Sequence, residues 1–445
     1  MSAERLRRSV WLGTALLCPV IALQAYFAGG WYSILHSYSL GMFFGIVSYV
    51  CLANTLIISA RIRYFDRLFG HDRVMVFHGR LAGVALVFAF AHAVLKTAYY
   101  GLEGAQVSLG IAGLTLFTAV AVVTVLFMVG NILHRIRAMA VLRAFFVERC
   151  GFDYTRLKLF HNLTAAALAV ITIHVLMASA TAETWVRSGI VAGWGVVSLS
   201  LYLYHKVVRV IICYRRSFRV TEVRRVSDSI VELRAVRPDG SALHHRAGQF
   251  GFFRILSPAC GIEEHPFTIS SPPGSETLGI TVKALGDYSA ALPSVSVGAK
   301  LLCDGPYGKF TPIRDACPYL FVAGGIGITP FMSIVGEWEE AGISVPVVLL
   351  WSVRTRDELT DDGLFERVAH RYGAFTYVPV VTREAHLGAP ARIDSELLSA
   401  HIAGEDIART LAYVCGPDPL RRATAGYLRE LGMPRRAVHY EAFSS

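Results

Sequence analysis

The 445-residue chain is short of charge. Only 17% of its residues are Asp, Glu, Lys or Arg, 54% are hydrophobic, and its mean hydropathy is +0.47. Soluble domains carry about 25% charged residues, so the chain is too apolar for an ordinary soluble protein. Close cysteine pairs are lacking as well. The eight cysteines lie at 18, 51, 150, 213, 260, 303, 317 and 415, with no CxxC among them. Zinc and iron–sulfur sites draw their ligands from such pairs and therefore have little support. There is no DxDxDG loop, which argues against direct calcium control. Acidic residues number 33 against 43 basic ones, giving a net charge of +10. The basic residues gather beside apolar runs, where they read as topology signals, and no nucleic-acid partner is expected. Nothing in the sequence implies an obligate protein partner.

What is present up to about residue 212 is apolar. Six runs, at approximately 10–28, 39–60, 74–98, 109–132, 155–178 and 187–212, are each long enough to cross a bilayer core of ~30 Å as a helix. The first follows Arg5, Arg7 and Arg8 but is long for a signal peptide, and the later spans continue its topology. Arg61, Arg63, Arg67 and Arg73 separate spans two and three. Arg135, Arg137, Arg143 and Arg149 separate four and five. Lys206, Arg209, Arg215 and Arg216 end span six. The positive-inside rule then places both termini in the cytoplasm, with the chain in the plasma (inner) membrane and the lipid bilayer as its partner.

Spans three and five each carry two histidines, His78 and His92 on one, His161 and His174 on the other. Ionisable residues inside a membrane are costly and mark function by default. A single such histidine is as readily a hydrogen-bonded core residue. Two spans with nearly matching spacings are harder to dismiss. On a helix, His78 and His92 lie roughly 21 Å apart along the axis, which suits two stacked sites. Neutral imidazole ligates haem iron. The orientation pairs His78 with His161 at the cytoplasmic side and His92 with His174 at the outer side. At about 100° per residue His78 and His92 face nearly the same way, whereas His161 and His174 diverge by roughly 140°; a kink or tilt in span five has to reconcile them. His205, beside Lys206, reads as interfacial. Arg80 is open to two readings, a haem propionate partner or a snorkelling arginine.

From Phe218 onward the pattern changes to short alternating strands, FRVTEVRRV, SIVELRAV, GQFGFFRI, PFTIS, TLGITVKA and KLLCDG, which predict a small antiparallel barrel. From about Pro318 the buried-type strands VPVVLLWS, FTYVPVV and LAYVCG alternate with helical segments, which predicts a doubly wound parallel sheet. Its opening strand, 319–323, runs into Gly324, Gly325 and Gly327 and then a helix. Glycines let the backbone approach a pyrophosphate, and the helix N-terminus supplies N–H groups. Pro330 stands in place of the third glycine of the usual fingerprint and suits a first helical turn.

HPFTISS at 265–271, LGDYSAAL at 285–292, GPYG at 305–308, GGIGITP at 324–330, CGP at 415–417 and EAF at 441–443 together resemble the ferredoxin–NADP reductase-type module. With the four span histidines, nearly the whole chain resembles the prokaryotic NADPH oxidase and ferric reductase superfamily, in which a ferric reductase-like transmembrane domain is fused to that module. The resemblance implies a haem domain over 1–217, an FAD-binding β-barrel domain over 218–312 and an NADPH-binding α/β domain over 313–445. It implies FAD, NADPH and two b-type haems as cofactors.

Residue by residue, the resemblance makes His265, Pro266, Phe267 and Thr268 the flavin motif, with Thr268 near the reactive edge of the isoalloxazine. Gly286, Asp287, Tyr288 and Ser289 would hold the FAD pyrophosphate. Gly324, Gly325, Gly327, Thr329 and Pro330 would hold that of the nicotinamide cofactor. Cys415, Gly416 and Pro417 would lie beside the nicotinamide, and Phe443 would cover the flavin until nicotinamide displaces it. Thr268, Cys415 and Phe443 are thus the candidate catalytic residues. Arg354, Thr382 and Arg383 sit where relatives contact the adenosine ribose and its 2′-phosphate, and arginine there favours NADPH over NADH.

The expected function is electron transfer from NADPH through FAD and both haems to a small acceptor outside, oxygen giving superoxide or, alternatively, a ferric chelate. A transporter or channel with a nucleotide-sensing domain would use the histidines as a proton path, but it leaves the flavin motif and the histidine pairing unexplained.

Overall fold

Apolar runs of this length can satisfy their backbone groups only within themselves, and they form helices. A computed structural model describes residues 36–128, 154–261, 263–359, 362–384, 392–402 and 407–441. It divides into two units, Met1–Val210 and Ile211–Ser445.

The first unit is helical. Its elements are α1 (Ser37–Ser59), α2 (Arg63–Phe69), α3 (His71–Tyr100), α4 (Ala105–Met128), α5 (Tyr154–His161), α6 (Leu163–Leu176), α7 (Ser179–Ala182) and α8 (Trp185–Leu203). A π turn at Tyr204–Val208 leads on to α9, Arg209–Arg215. Five helical stretches, Ser37–Ser59, His71–Tyr99, Ala105–Phe127, Arg156–Leu176 and Trp185–Arg215, are long and apolar enough to cross a membrane. They correspond to expected spans two to six. The first expected span lies outside the described residues, as do Arg135, Arg137, Arg143 and Arg149. His205, expected at an interface, is buried within the π turn.

Helix α1 is the hub. Tyr49, Leu52, Ala53 and Leu56 pack with Ala85 of α3, Phe117 of α4, Ala167 and Leu168 of α6 and Val191 of α8. Small residues permit this closeness. A Cβ on Gly195 would sit 2.8 Å from the Tyr49 hydroxyl, which itself donates to Val191 O at 2.7 Å. Span five is broken at Asn162, between α5 and α6. The Asn162 N–H bonds to both Lys158 O and Leu159 O. The Thr164 hydroxyl takes up the His161 carbonyl at 2.7 Å, and Tyr202 donates to Asn162 Oδ1 at 2.9 Å.

The second unit holds two sheets. The first is six-stranded and antiparallel, from β1 (Phe218–Ser227), β2 (Ile230–Val236), β3 (Phe250–Leu256), β4 (His265–Thr268), β5 (Thr277–Lys283) and β6 (Lys300–Tyr307), in the order β4-β3-β6-β1-β2-β5. The expected closed barrel is not what the ladders form. The two ends of the sheet meet through an isolated bridge, Ile269 to Ile280, the bond from Ser270 N–H to Gly279 O, and bonds from Gly279 N–H to Ser271 Oγ and from the Thr281 hydroxyl to Ser270 Oγ. β4 is just four residues long, too short for a full ladder. The core beneath is Phe218, Leu233, Phe253, Ile255, Ile280 and Leu301. A short helix, α10 (Asp287–Ala291), follows β5.

The second sheet is parallel, from β7 (Tyr319–Gly324), β8 (Val347–Val353), β9 (Phe375–Val381), β10 (Leu411–Cys415) and β11 (Val438–Glu441), in the order β11-β10-β7-β8-β9. Helices α11 (Thr329–Ala341), α12 (Asp362–Arg371), α13 (Ser395–His401) and α14 (Asp418–Glu430) connect the strands. Phe331, Trp338 and Phe365 cover one face; Leu398 and Leu428 belong to the core on the other. Pro379 is tolerated because β9 is an edge strand. Strand β11 has no counterpart in the sequence reading. It is a half-buried four-residue edge without a long apolar run.

Candidate functional site

In the helical unit the four histidines meet as two pairs. The ring centroids of His78 and His161 are 6.2 Å apart with planes at 64°. Those of His92 and His174 are 6.1 Å apart at 77°. Two imidazoles holding one metal from opposite sides, with bonds of about 2 Å, place their ring centres about 6 Å apart. The break at Asn162 lies between His161 and His174, and both rings reach their partners on α3 despite the 13-residue offset in helical phase.

The second ring nitrogens are all engaged. His78 Nδ1 donates to Thr55 O at 3.1 Å, His92 Nδ1 to Gly41 O at 2.7 Å and His174 Nδ1 to Gln106 O at 2.7 Å. His161 Nδ1 bonds to Thr124 Oγ1 at 2.9 Å. A carbonyl can only accept, so the proton sits on Nδ1 and the Nε2 lone pair is left for a metal. This is the second-shell arrangement of metal-bound histidines.

Two glycines make room for the 92/174 pair. A Cβ on Gly45 would come within 2.8 Å of His92, and one on Gly110 within 2.7 Å of His174. Each glycine lies four residues after the carbonyl that holds the ring. Sequence reasoning missed both, although four-residue spacing from a helical acceptor is the signal they leave. Among the described residues, no group of three or more His, Cys, Asp or Glu gathers. Two-ligand pairs suit a metal whose remaining ligands come from a macrocycle. Of the other candidates in this half, Arg80 is exposed.

In the sheet unit, β4 carries the four residues expected to form the flavin motif. Thr268 is buried and opposite Phe250, Pro266 is exposed, and His265 and Phe267 are half-buried. Tyr288 of α10 stacks on His265 at 3.9 Å, with Phe267 beyond at 6.3 Å. Burial pushes the Tyr288 phenol well above its ordinary range. Ser289 Oγ accepts from the N–H groups of Leu285 and Gly286 at 2.9 and 3.1 Å, which fixes the loop ahead of Asp287. A Cβ on Gly286 would meet nothing within 4 Å, so this turn is open to a ligand. Arg254 on β3 was not singled out from the sequence. Its buried Nε has no hydrogen-bond partner among the described residues, and it lies within electrostatic range of Tyr288, as a residue awaiting an anionic group would.

The glycines after β7 divide their labour. Gly325, at φ +52, faces open space, and Trp351 Nε1–H donates to its carbonyl at 2.9 Å. Gly327 instead admits the backbone at the end of β10, and Gly324 the side chains that follow it. A Cβ on Gly327 would lie 2.3 Å from Cys415 O, and one on Gly324 2.5 Å from Leu420 Cδ2 and 2.9 Å from Pro417 Cδ. A Cβ on Gly416, at φ +154, would lie 3.0 Å from Gly324 Cα. This is the topological switch point between β7 and β10, where open α/β sheets bind ligands.

Thr329 is buried with its hydroxyl on Ile326 O at 3.1 Å, and Pro330 lies in the first turn of α11. Cys415 is fully buried; burial first, then the Glu441 carboxylate, pushes its thiol well up. The Arg383 N–H donates to Arg354 O at 3.0 Å, so the two exposed arginines stand together, with the Thr382 hydroxyl on Val353 O beside them. Glu358 accepts from the Arg354 N–H at 3.2 Å and pairs with Lys283 of β5 at 2.6 Å, tying this loop to the first sheet. Phe443 lies outside the described residues.

Comparison with known proteins fits this layout. Residues 215–311 match the FAD-binding domain family and residues 321–426 the oxidoreductase NAD-binding domain family. The C-terminal half thus carries an FAD-binding domain followed by an oxidoreductase NAD-binding domain. It is 28% identical over 238 residues to the reductase component of propane 2-monooxygenase from Rhodococcus jostii (strain RHA1), covering 51% of this chain and 63% of that protein. It is 28% identical over 242 residues to ferredoxin–NADP reductase B of Sorangium cellulosum (strain So ce56), covering 51% of this chain and 96% of that one. The chain thus spans about three fifths of the former relative's length. A ferredoxin NADP+ reductase from Neisseria gonorrhoeae, solved with bound FAD and NADP, superposes with a TM-score of 0.44 at 22% identity, covering 51% of this chain and 97% of that chain.

Proposed function

We propose that this chain is a transmembrane NADPH-dependent oxidoreductase of the NADPH oxidase and ferric reductase type. Cytosolic NADPH supplies the electrons, which cross the bilayer by way of FAD and two b-type haems and reduce oxygen to superoxide on the far side. The observation that carries this reading is the double histidine pair. Two facing imidazole pairs lie on apolar helices, all four with Nδ1 hydrogen-bonded. His78 and His161 would hold the inner haem, and His92 and His174 the outer one.

NADPH gives two electrons together and haem iron takes one, and a bound flavin converts between the two. The chain's own residues do the rest. Thr268 and Phe267 would position the isoalloxazine. The open turn at Gly286 and the guanidinium of Arg254 would hold FAD phosphate. Gly325, at the N-terminal side of α11, would take the nicotinamide cofactor's pyrophosphate. Arg354 and Arg383 would take the 2′-phosphate. The arginine-rich segments at 61–73 and 206–216 would hold both termini in the cytoplasm.

The test is acceptor dependence of NADPH oxidation by purified protein, with and without superoxide dismutase. Aerobic cytochrome c reduction abolished by the dismutase supports the proposal. Turnover only on adding a ferric chelate would move the function to metal reduction. Turnover only with a soluble protein acceptor would remove the transmembrane path.

A further inference from the structure

We infer that Thr124 is a positioning residue for His161, fixing its tautomer and setting the redox potential of the haem held by the 78/161 pair. The inference rests on the haem reading above. Three of the four imidazoles are held by main-chain carbonyls, those of Thr55, Gly41 and Gln106. No side-chain substitution can remove those acceptors. His161 is the exception, since its Nδ1 meets a side chain, the Thr124 hydroxyl, at 2.9 Å.

The direction of that bond follows from a second contact. Thr124 Oγ1 also lies 2.7 Å from Val120 O, one turn back on α4. A hydroxyl has one proton, and a carbonyl can only accept it. The proton therefore points at Val120, and a hydroxyl lone pair faces His161. The imidazole must carry its own proton on Nδ1, which leaves Nε2 basic and aimed at His78. Donation to Val120 also polarises the hydroxyl and makes it a better acceptor.

His161 is the last residue of α5, just before Asn162. Its ring meets the Thr124 hydroxyl toward the opposite end of α4 from Gln106, whose carbonyl holds the His174 ring.

An Nδ1–H bond of this kind raises the basicity of the ligating nitrogen and stabilises the ferric state. Losing it should raise the potential of that one haem and weaken its retention about 10- to 100-fold. The experiment uses the full chain purified with its haems. Haem stoichiometry and both midpoint potentials are measured in wild type, Thr124→Val and Thr124→Ser. A His92→Ala/His174→Ala variant identifies which potential belongs to the 78/161 pair.

The expected result is a higher potential, or selective loss, of that haem in Thr124→Val, with Thr124→Ser close to wild type and the other haem unmoved. Unchanged potentials in Thr124→Val would overturn the inference. So would an equal change in the serine variant, because the methyl group rather than the hydroxyl would then be responsible. Wild-type protein without haem would overturn the parent reading and this inference together, and is told apart by the stoichiometry alone.

Discussion

The two halves of the chain build their sites from opposite materials. In the helical half the chemistry belongs to side chains, and the backbone supplies acceptors and clearance: Gly41 O holds His92, and Gly45 leaves space for its ring. In the sheet half the site is largely backbone. Gly325 faces outward, while Gly324, Gly327 and Gly416 let two strand ends close on each other. The difference shows that a glycine near a site can serve access or packing. A substitution should therefore remove a ligand in one half and loosen a domain in the other.

The largest of these effects is expected at Gly327. Its added Cβ would strike the Cys415 carbonyl at 2.3 Å, and backbone on both sides cannot move away cheaply. Gly327→Ala should cost about 1–3 kcal/mol in stability, as overpacking does, and should raise the KM for NADPH. Thermal unfolding and steady-state kinetics check both. Gly45→Ala and Gly110→Ala should leave the flavin half untouched while depleting the 92/174 haem, read from haem per chain against flavin per chain. Equal losses of haem and flavin in these variants would dissolve the contrast between the halves.

The nucleotide preference comes next. Arg354→Ala with Arg383→Ala should raise the KM for NADPH far more than that for NADH. Loss of a charged hydrogen bond costs roughly 1.5–3 kcal/mol, about ten- to a hundredfold. Equal effects on both cofactors would show that these arginines serve elsewhere.

The smallest effect concerns Cys415. Its buried thiol has a raised pKa, so it stays protonated at neutral pH, and thiolate chemistry would begin only well above that. Iodoacetamide at neutral pH should leave Cys415 unmodified in the native protein and alkylate it after unfolding, as peptide mass spectrometry would show.

Much of this was legible in the sequence because its signals are local. Apolar run length marked the five long apolar helices, and the change to period-two patterning marked the strands after Phe218. The strand–glycine–helix order marked the switch point. The pairing of His78 with His161 and His92 with His174 followed from charge placement alone. Other features depend on what another segment brings alongside. Gly45 reads as any helical glycine until His92 lies over it. Gly324 and Gly327 read as phosphate-cradling until residues 415–420 arrive. Closure of the barrel was not legible, because strand count does not report whether a last ladder joins the two ends. The phase conflict in span five had a faint trace in sequence, since Asn162 and Thr164 directly follow His161 and are poor residues for a continuous helix.

The most direct measurement is the haem content of purified protein by the pyridine haemochrome method, in wild type and in the His92→Ala/His174→Ala variant. The account predicts two low-spin b haems per chain in wild type and one in the variant, with flavin reduction by NADPH intact in both. Equal haem in the two proteins, or none in either, would contradict it.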